Sequence, residues 1–365
     1  MKRAKRIYTT MMMVLFSLTL GVVPDVFATE PASEIKELKI EEAITKAQQR
    51  NRRLRMQQQN IEYAEVDSED AYYNYQNSWD IGFEKASVGY SQARVNEEYE
   101  IKYEETIREQ IAYDIEGQFD AIIELEQQYE LAQDGLKIQQ KKISQAIKKE
   151  QLGLGSKNTV ATERAILETQ NKEMDSLVQS IDAGYRKLND TIGGKDERYV
   201  LVKENIYTPF EMKKSLQGYV SHSIDSDLAL WKQEESAKAQ RVMLTAPGND
   251  GWAPTYTEYQ KRKISYEQGL SNVSLSKEAK EKQVKEIYEN ILALEIQHDR
   301  LLLEKDEMQR KYEIMEKQFQ LGLTVALPLE EMRQGLDKIE VQMNSITRQH
   351  NQLKVLFEKS YLATR

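Results

Sequence analysis

The chain has 365 residues, a formal net charge of −9, 30 % charged side chains, six prolines and no cysteine. The acidic balance argues against nucleic acid as a partner, and the missing cysteine excludes disulfide frameworks and thiolate metal sites. Few prolines with abundant Glu, Lys, Gln and Leu make a long-helix composition, and a 40 % apolar fraction suits narrow coiled-coil seams better than a large globular interior.

In chain order, Lys2, Arg3, Lys5 and Arg6 precede the apolar stretch MMMVLFSLTLGVV (11–23), and Val26-Phe27-Ala28 places small residues where a signal peptidase cuts. This predicts a signal peptide over residues 1–28, with an uncleaved N-terminal anchor as the alternative reading; either way the bulk of the protein is exported. The mature chain then carries 47 basic against 59 acidic side chains, a net charge of about −12. An amphipathic helix follows over 38–67, its apolar stripe made by Ile40, Ala43, Ile44, Ala47 and Leu54. The stretch 72–92, rich in aromatics (Tyr72, Tyr73, Tyr75, Trp79, Phe83), reads as one of the two least helical segments. A heptad seam comes next, through Ile115, Gln118, Ile122, Leu125, Tyr129, Ala132, Leu136, Gln139, Ile143, Ala146 and Glu150. At Gln151-Leu152-Gly153-Leu154 the helix stops on a glycine, and Gly155 to Asn158 restart the chain with Ser156 or Asn158 as the N-cap. The returning helix covers 158–192, ended by Gly193-Gly194.

The second half repeats this plan. An amphipathic segment spans 209–244, and a second aromatic connection, with Trp252, Tyr256 and Tyr259, spans 246–260. The seam runs Val284, Ile287, Ile291, Leu294, His298, Leu301, Lys305, Met308, Tyr312, Met315, Phe319, with His298 as a polar break that fixes register. Gln320-Leu321-Gly322-Leu323 closes it, Thr324 is the expected cap, and Pro328 lies in the first turn of a last helix over 328–362. An offset of 169 positions pairs Gly153 with Gly322, Leu188 with Phe357, Phe83 with Trp252 and Tyr90 with Tyr259, so one register holds over some 110 residues. The chain is a tandem duplication, 29–200 and 201–365, of an all-α unit built as long antiparallel coiled-coil hairpins. The seams, some 50 residues each, predict helices of about 75 Å.

These features together resemble the TolC-like outer-membrane efflux proteins, a family of duplicated chains with long coiled-coil hairpins and Gly-Leu turns. The Leu38, Glu42-Ala43-Ile44 and Asn51-Arg52-Arg53-Leu54 pattern matches the opening helix of that family, and Ile224-Asp225-Ser226-Asp227-Leu228 matches its counterpart in the second half. The resemblance covers nearly the whole mature chain. It implies a homotrimer forming a twelve-helix tube, located at the outer membrane or elsewhere in the cell envelope. It also implies a membrane-fusion-type adaptor that docks on the turns, and an energised inner-membrane pump. Carried over residue by residue, the docking turns are Gly153, Leu154, Gly155, Ser156, Gly322, Leu323 and Thr324, with a plain hairpin closure as the alternative. The entrance acids are Glu330 and Glu331, although Pro328 stands where the family often has an acidic residue.

One departure concerns the membrane. Neither 72–92 nor 252–270 alternates an apolar with a polar face, so the β-barrel strands of the family are expected to be absent or vestigial. The aromatic residues there, Tyr72, Tyr73, Tyr75, Trp79, Phe83, Trp252, Tyr256 and Tyr259, serve either to cap helix ends or to meet a membrane or partner. His222, His298 and His350 are scattered, no nucleophile elbow, P-loop or HExxH string occurs, and no cofactor or catalytic residue is expected. The sequence reads as a passive efflux duct component, or alternatively as a non-conducting exported coiled-coil scaffold.

Overall fold

The computed structural model describes residues 36–78, 82–195, 197–246 and 253–363. The elements come as a strand and four helices, twice. The first set is β1 (Lys36–Lys39), α1 (Ile40–Arg50), α2 (Arg52–Gln76), α3 (Phe83–Gln151) and α4 (Lys157–Ile192). The second is β2 (Tyr199–Val202), α5 (Leu216–Asp225), α6 (Leu228–Val242), α7 (Tyr256–Gln320) and α8 (Ala326–Glu358), followed by a 3-10 turn at Ser360–Ala363. The duplication is therefore visible in the order of elements. Among the described residues β1 and β2 are the only strands, paired in parallel with Leu38 opposite Leu201, and the expected shortage of barrel strands holds there.

The heptad seams are where the sequence places them. All eleven positions from Ile115 to Glu150 are buried or half-buried, and from Val284 to Phe319 only Phe319, the last, is exposed. The helices outrun the seams: α3 has 69 residues, about 100 Å, and α7 has 65. The surplus overturns the expectation that 72–92 is among the least helical stretches, because 72–76 and 83–92 are helix, while in 246–260 helix begins at Tyr256 and 247–252 lie outside the described residues. No proline lies in 72–92, and α7 opens on a reciprocal capping box. In it the Thr255 amide donates to Glu258 Oε2 (2.8 Å) and the Glu258 amide donates to Thr255 Oγ1 (3.3 Å).

The expected single helices over 38–67 and 209–244 are broken, and in each case a cap breaks them. Asn51 is extended and its side chain accepts from the amides of Arg53 (2.8 Å) and Leu54 (3.2 Å), which starts α2. Asp227 does the same for Ala229 (3.0 Å) and Leu230 (3.1 Å) at the start of α6.

The chain divides into two compact units, each drawing on both repeats. Unit one comprises residues up to Lys46, Ile115–Asn205 and His298–Ile346; unit two comprises Ala47–Asp114, Ile206–Gln297 and Thr347 onward. In unit one, Phe119, Ile122, Ile181 and Leu188 are fully buried, and Gly184 lets α4 approach α3, since a Cβ there would sit 2.9 Å from Ile122 Cγ1. Gln139 Nε2 donates across the same hairpin to the Glu163 carbonyl (2.9 Å). In unit two, Val220, Val284, Ile287 and Ile291 surround Phe357, whose ring meets Tyr219 at 4.7 Å and Phe210 edge-on at 5.1 Å.

Candidate functional site: the two hairpin turns

The helices α3 and α7 end in the same way. Gly153 and Gly322 take φ +72° and +73°, in the left-handed region where side chains are strained. The Gly153 amide donates to the Glu150 carbonyl (2.9 Å) and the Leu154 amide to Lys149 (2.8 Å); in the second turn Gly322 donates to Phe319 (2.9 Å) and Leu323 to Gln318 (2.8 Å). This pair of bonds satisfies helix-end carbonyls, and a leucine after such a glycine commonly folds back on its helix. Here it does not: Leu154 is 77 % exposed and Leu323 74 %, and Leu152 and Leu321 stand equally clear. Each turn thus presents two leucines to solvent, an apolar patch that nothing in the hairpin covers.

The restarts differ. Ser156 Oγ accepts from the Thr159 amide (3.2 Å), so of the two expected caps Ser156 is the one used. Gly155 is held so closely that a Cβ would lie 3.2 Å from Lys149 Cβ. In the second turn α8 begins at Ala326, so Thr324 falls one place outside the capping position and the expectation of a Thr324 cap is corrected. The capping place belongs to Val325, which has no side-chain acceptor. The amide that Ser156 serves is the third of its helix, and the equivalent third residue of α8 is Pro328, which has no N–H. Lost acceptor and lost donor cancel.

Glu330 and Glu331, on the first turns of α8, are both engaged with α3. Lys141 Nζ donates to Glu330 Oε1 at 2.5 Å, and Lys142 Nζ lies 2.6 Å from Glu331 Oε1. Both pairs are partly solvated, so each contributes at most about 1 kcal/mol.

At the aromatic connection in unit two, the structure gathers Tyr72, Tyr75, Phe83 and Tyr90. Tyr75 stacks on Tyr90 at 5.7 Å and meets Phe83 at 5.3 Å, while Tyr72 meets Tyr90 at 5.2 Å. These rings close the α2–α3 hairpin on itself. Tyr73 and Tyr256 face solvent, and Tyr259 is half-buried. Trp79 and Trp252 lie outside the described residues, as does the segment read as a signal peptide.

Two polar clusters in unit two escaped the sequence reading. Lys280 Nζ lies 2.9 Å from Asp227 Oδ2 with the two side chains 4 % and 10 % exposed. His350 is fully buried; its Nε2 lies 3.2 Å from Glu295 Oε1, which also accepts from the Phe210 amide (2.5 Å), and Tyr207 packs on its ring at 5.2 Å. Burial holds the His350 imidazole below its ordinary pKa of 6.5, against the opposing pull of Glu295. Among the described residues no group of three or more His, Cys, Asp or Glu is arranged to hold a metal, and no helix is long and apolar enough to cross a membrane.

Neither a protein-family model nor a curated protein matches the sequence. Solved structures do match the fold. The Campylobacter jejuni CmeC outer-membrane channel aligns with TM-score 0.65 and 11 % identity over 94 % of this chain and 93 % of that one. CusC, described in terms of folding and transmembrane channel formation, aligns with TM-score 0.66 and 11 % identity over 92 % and 96 %. The Vibrio cholerae outer-membrane protein VceC aligns with TM-score 0.63 and 13 % identity over 88 % and 96 %. The fold is therefore that of the TolC-like outer-membrane channels, as the sequence resemblance implied. CmeC is described as an outer-membrane channel and CusC in terms of transmembrane channel formation.

Proposed function

We propose that the protein is a TolC-like efflux duct component of the cell envelope, a homotrimer that passively conducts substrates delivered by a membrane-fusion-type adaptor and an inner-membrane pump. The observation that carries this reading is the pair of matched turns, each holding two leucines in solvent at the end of a hairpin in a fold shared with outer-membrane channels. The adaptor docks on Gly153, Leu154, Gly155 and Ser156 and on Gly322, Leu323 and Thr324, with the leucines as apolar anchors. Replacing Leu154 and Leu323 together with Asp, at exposed sites where folding is indifferent to the change, is expected to abolish co-purification of an adaptor from envelope extracts. Unchanged capture would refute tip docking.

One observation favours the second reading, a non-conducting exported scaffold. Only residues 77–82 separate α2 from α3, and only 243–255 separate α6 from α7, where a pair of membrane-crossing strands with its turn needs about 20 residues. Conductance of the purified protein in planar bilayers decides: unitary channels support the duct, and a folded multimer that opens none leaves the scaffold.

A further inference from the structure

Between β2 and α5 the chain runs from Lys203 to Ser215 with neither helix nor strand. Its stretch 206–210 belongs to unit two and lies across α7 and α8, held there by side chains of those helices. From α8, Asn351 Nδ2 donates to the Ile206 carbonyl (3.2 Å), and Lys354 Nζ donates to the Thr208 carbonyl (3.2 Å) and to Thr208 Oγ1 (2.8 Å). From α7, Glu295 Oε1 accepts the Phe210 amide at 2.5 Å. The Phe210 ring then packs edge-on against Phe357. A segment whose backbone is satisfied by side chains instead of a ladder opens when those side chains let go, without melting a helix.

His350 lies under this crossing. It is fully buried, its ring meets Tyr207 at 5.2 Å, and its Nε2 stands 3.2 Å from the same Glu295 Oε1 that takes the Phe210 amide. One carboxylate oxygen therefore serves the imidazole and the crossing segment together. A carboxylate at Nε2 fixes the hydrogen of the neutral ring there and leaves Nδ1 as a lone pair, and no group among the described residues hydrogen-bonds to Nδ1. A second proton creates at Nδ1 a buried N–H without an acceptor, on a ring that has also become a buried charge. Around it, Glu295 from α7 favours the imidazolium, Lys354 from α8 itself opposes it, and Tyr207 faces it from the crossing segment. Burial outweighs the pull of Glu295, so the folded ring gives up its proton more readily than a free one. Of these side-chain types only the imidazole ordinarily titrates between about pH 5 and 8.

We propose that residues 206–210 form a strap latched by the neutral form of His350, and that one proton on the imidazole releases it. The charged ring is satisfied in water. Helix covers it on one side and the strap on the other, and the strap is the cover that can leave without breaking a helix. Its departure lifts Tyr207 and Phe210 away and uncovers Phe357 and Tyr219, against which the Phe210 ring rests. The opened form has an ordinary imidazole, and the latched form one that titrates lower; the latch is therefore fully favoured above pH 6.5 and weakens by up to about tenfold per pH unit below it. The device goes beyond the duct reading and does not depend on it, since neither conduction nor the number of copies enters.

Hydrogen exchange on the full chain tests it. The Phe210 amide is followed between about pH 7.5 and 5.5 as protection relative to a free peptide at the same pH, with and without low urea. The expected result has three parts: protection below that of the slowest amides of α7 and α8, no response to low urea because a local opening exposes little surface, and a fall of up to about tenfold per pH unit below about 6.5. Protection equal to that of the helix amides, meaning that the segment opens only on global unfolding, overturns the proposal, and so does protection that ignores pH. In a second measurement His350→Gln, which keeps a donor for Glu295 and does not titrate, is expected to hold the Phe210 protection constant over the same range. A slope that persists in this variant assigns the proton to another group and overturns the latch. The first measurement needs no variant, so it decides by itself if the glutamine chain does not fold.

Discussion

Removing the carboxylate of Asp227 tests whether it is the counter-charge of a buried ammonium. Lys280 Nζ has an ion contact with Asp227 at 2.9 Å and no aligned hydrogen-bond acceptor, and its side chain is 4 % exposed. Asp227 also accepts from the Ala229 and Leu230 amides. Breaking a buried pair costs about 3–5 kcal/mol because the surviving charge is stranded, and loss of a helix cap costs about 1 kcal/mol more. Asp227→Ala is therefore expected to destabilise by about 4–6 kcal/mol by adding those two losses. Asp227→Asn keeps an acceptor for the amides and strands only the ammonium, about 3–5 kcal/mol. Lys280→Met leaves a carboxylate still bound by two amides at a helix N-terminus, so its cost is smaller, about 1–3 kcal/mol. The double variant Asp227→Asn with Lys280→Met buries no charge and is expected within about 1 kcal/mol of the parent. Urea unfolding followed by far-ultraviolet circular dichroism, at fixed protein concentration, completes the cycle. If Asp227→Asn costs less than about 1 kcal/mol, or the double variant is no better than that single one, the carboxylate is not compensating Lys280.

Gly153→Ala and Gly322→Ala are each expected to cost about 1–2 kcal/mol in thermal unfolding, all of it backbone strain, since nothing lies within 4 Å of the added carbon. Equal stability of the alanine variants would deny the left-handed turns. Glu330→Lys sets two ammonium groups together and is expected to weaken the α3–α8 contact by about 1 kcal/mol, read as faster amide exchange around Lys141, with recovery on adding Lys141→Glu. Because the folded pKa of His350 lies below 6.5, the unfolded chain binds the proton first; stability present at neutral pH is lost as pH falls through 6.5. Replacing His350 with Gln is expected to flatten the melting temperature between neutral and mildly acidic pH, and an unaltered slope would assign the loss to other groups.

The seams and turns were legible because each rests on a local rule: a three-four alternation buries one stripe, and a glycine at a helix end takes a left-handed conformation. The return of α4 was read from Lys157 to within a residue because Ser156 caps it in plain sight. What the sequence hid depends on neighbours distant along the chain. Phe119, Asp120 and Ile138 lie off the predicted seam of α3 yet are buried, because both α4 and α8 pack on that helix and a heptad count sees only one partner. The β1–β2 pair joins segments some 160 residues apart, and no periodicity in either announces it. For the aromatic residues of 72–92 the sequence left helix-end packing and membrane or partner contact equally open, because a tyrosine serves both; Tyr72, Tyr75, Phe83 and Tyr90 pack on one another within a hairpin of helices. Asn51 and Asp227 were in view as parts of a family pattern, and their capping geometry was the unused signal.

Ser156 and Thr159 in one turn, Val325 and Pro328 in the other, have a consequence for how the two copies could diverge. Restoring serine at position 325 alone gains nothing at the third amide, because that amide does not exist; restoring threonine at 328 alone creates an N–H with no acceptor. The two letters are therefore coupled in one direction only: serine beside proline strands nothing, whereas valine beside threonine leaves the third amide bare. Ancestral reconstruction at these four sites should find proline arriving before valine, since that order never leaves a helix amide bare.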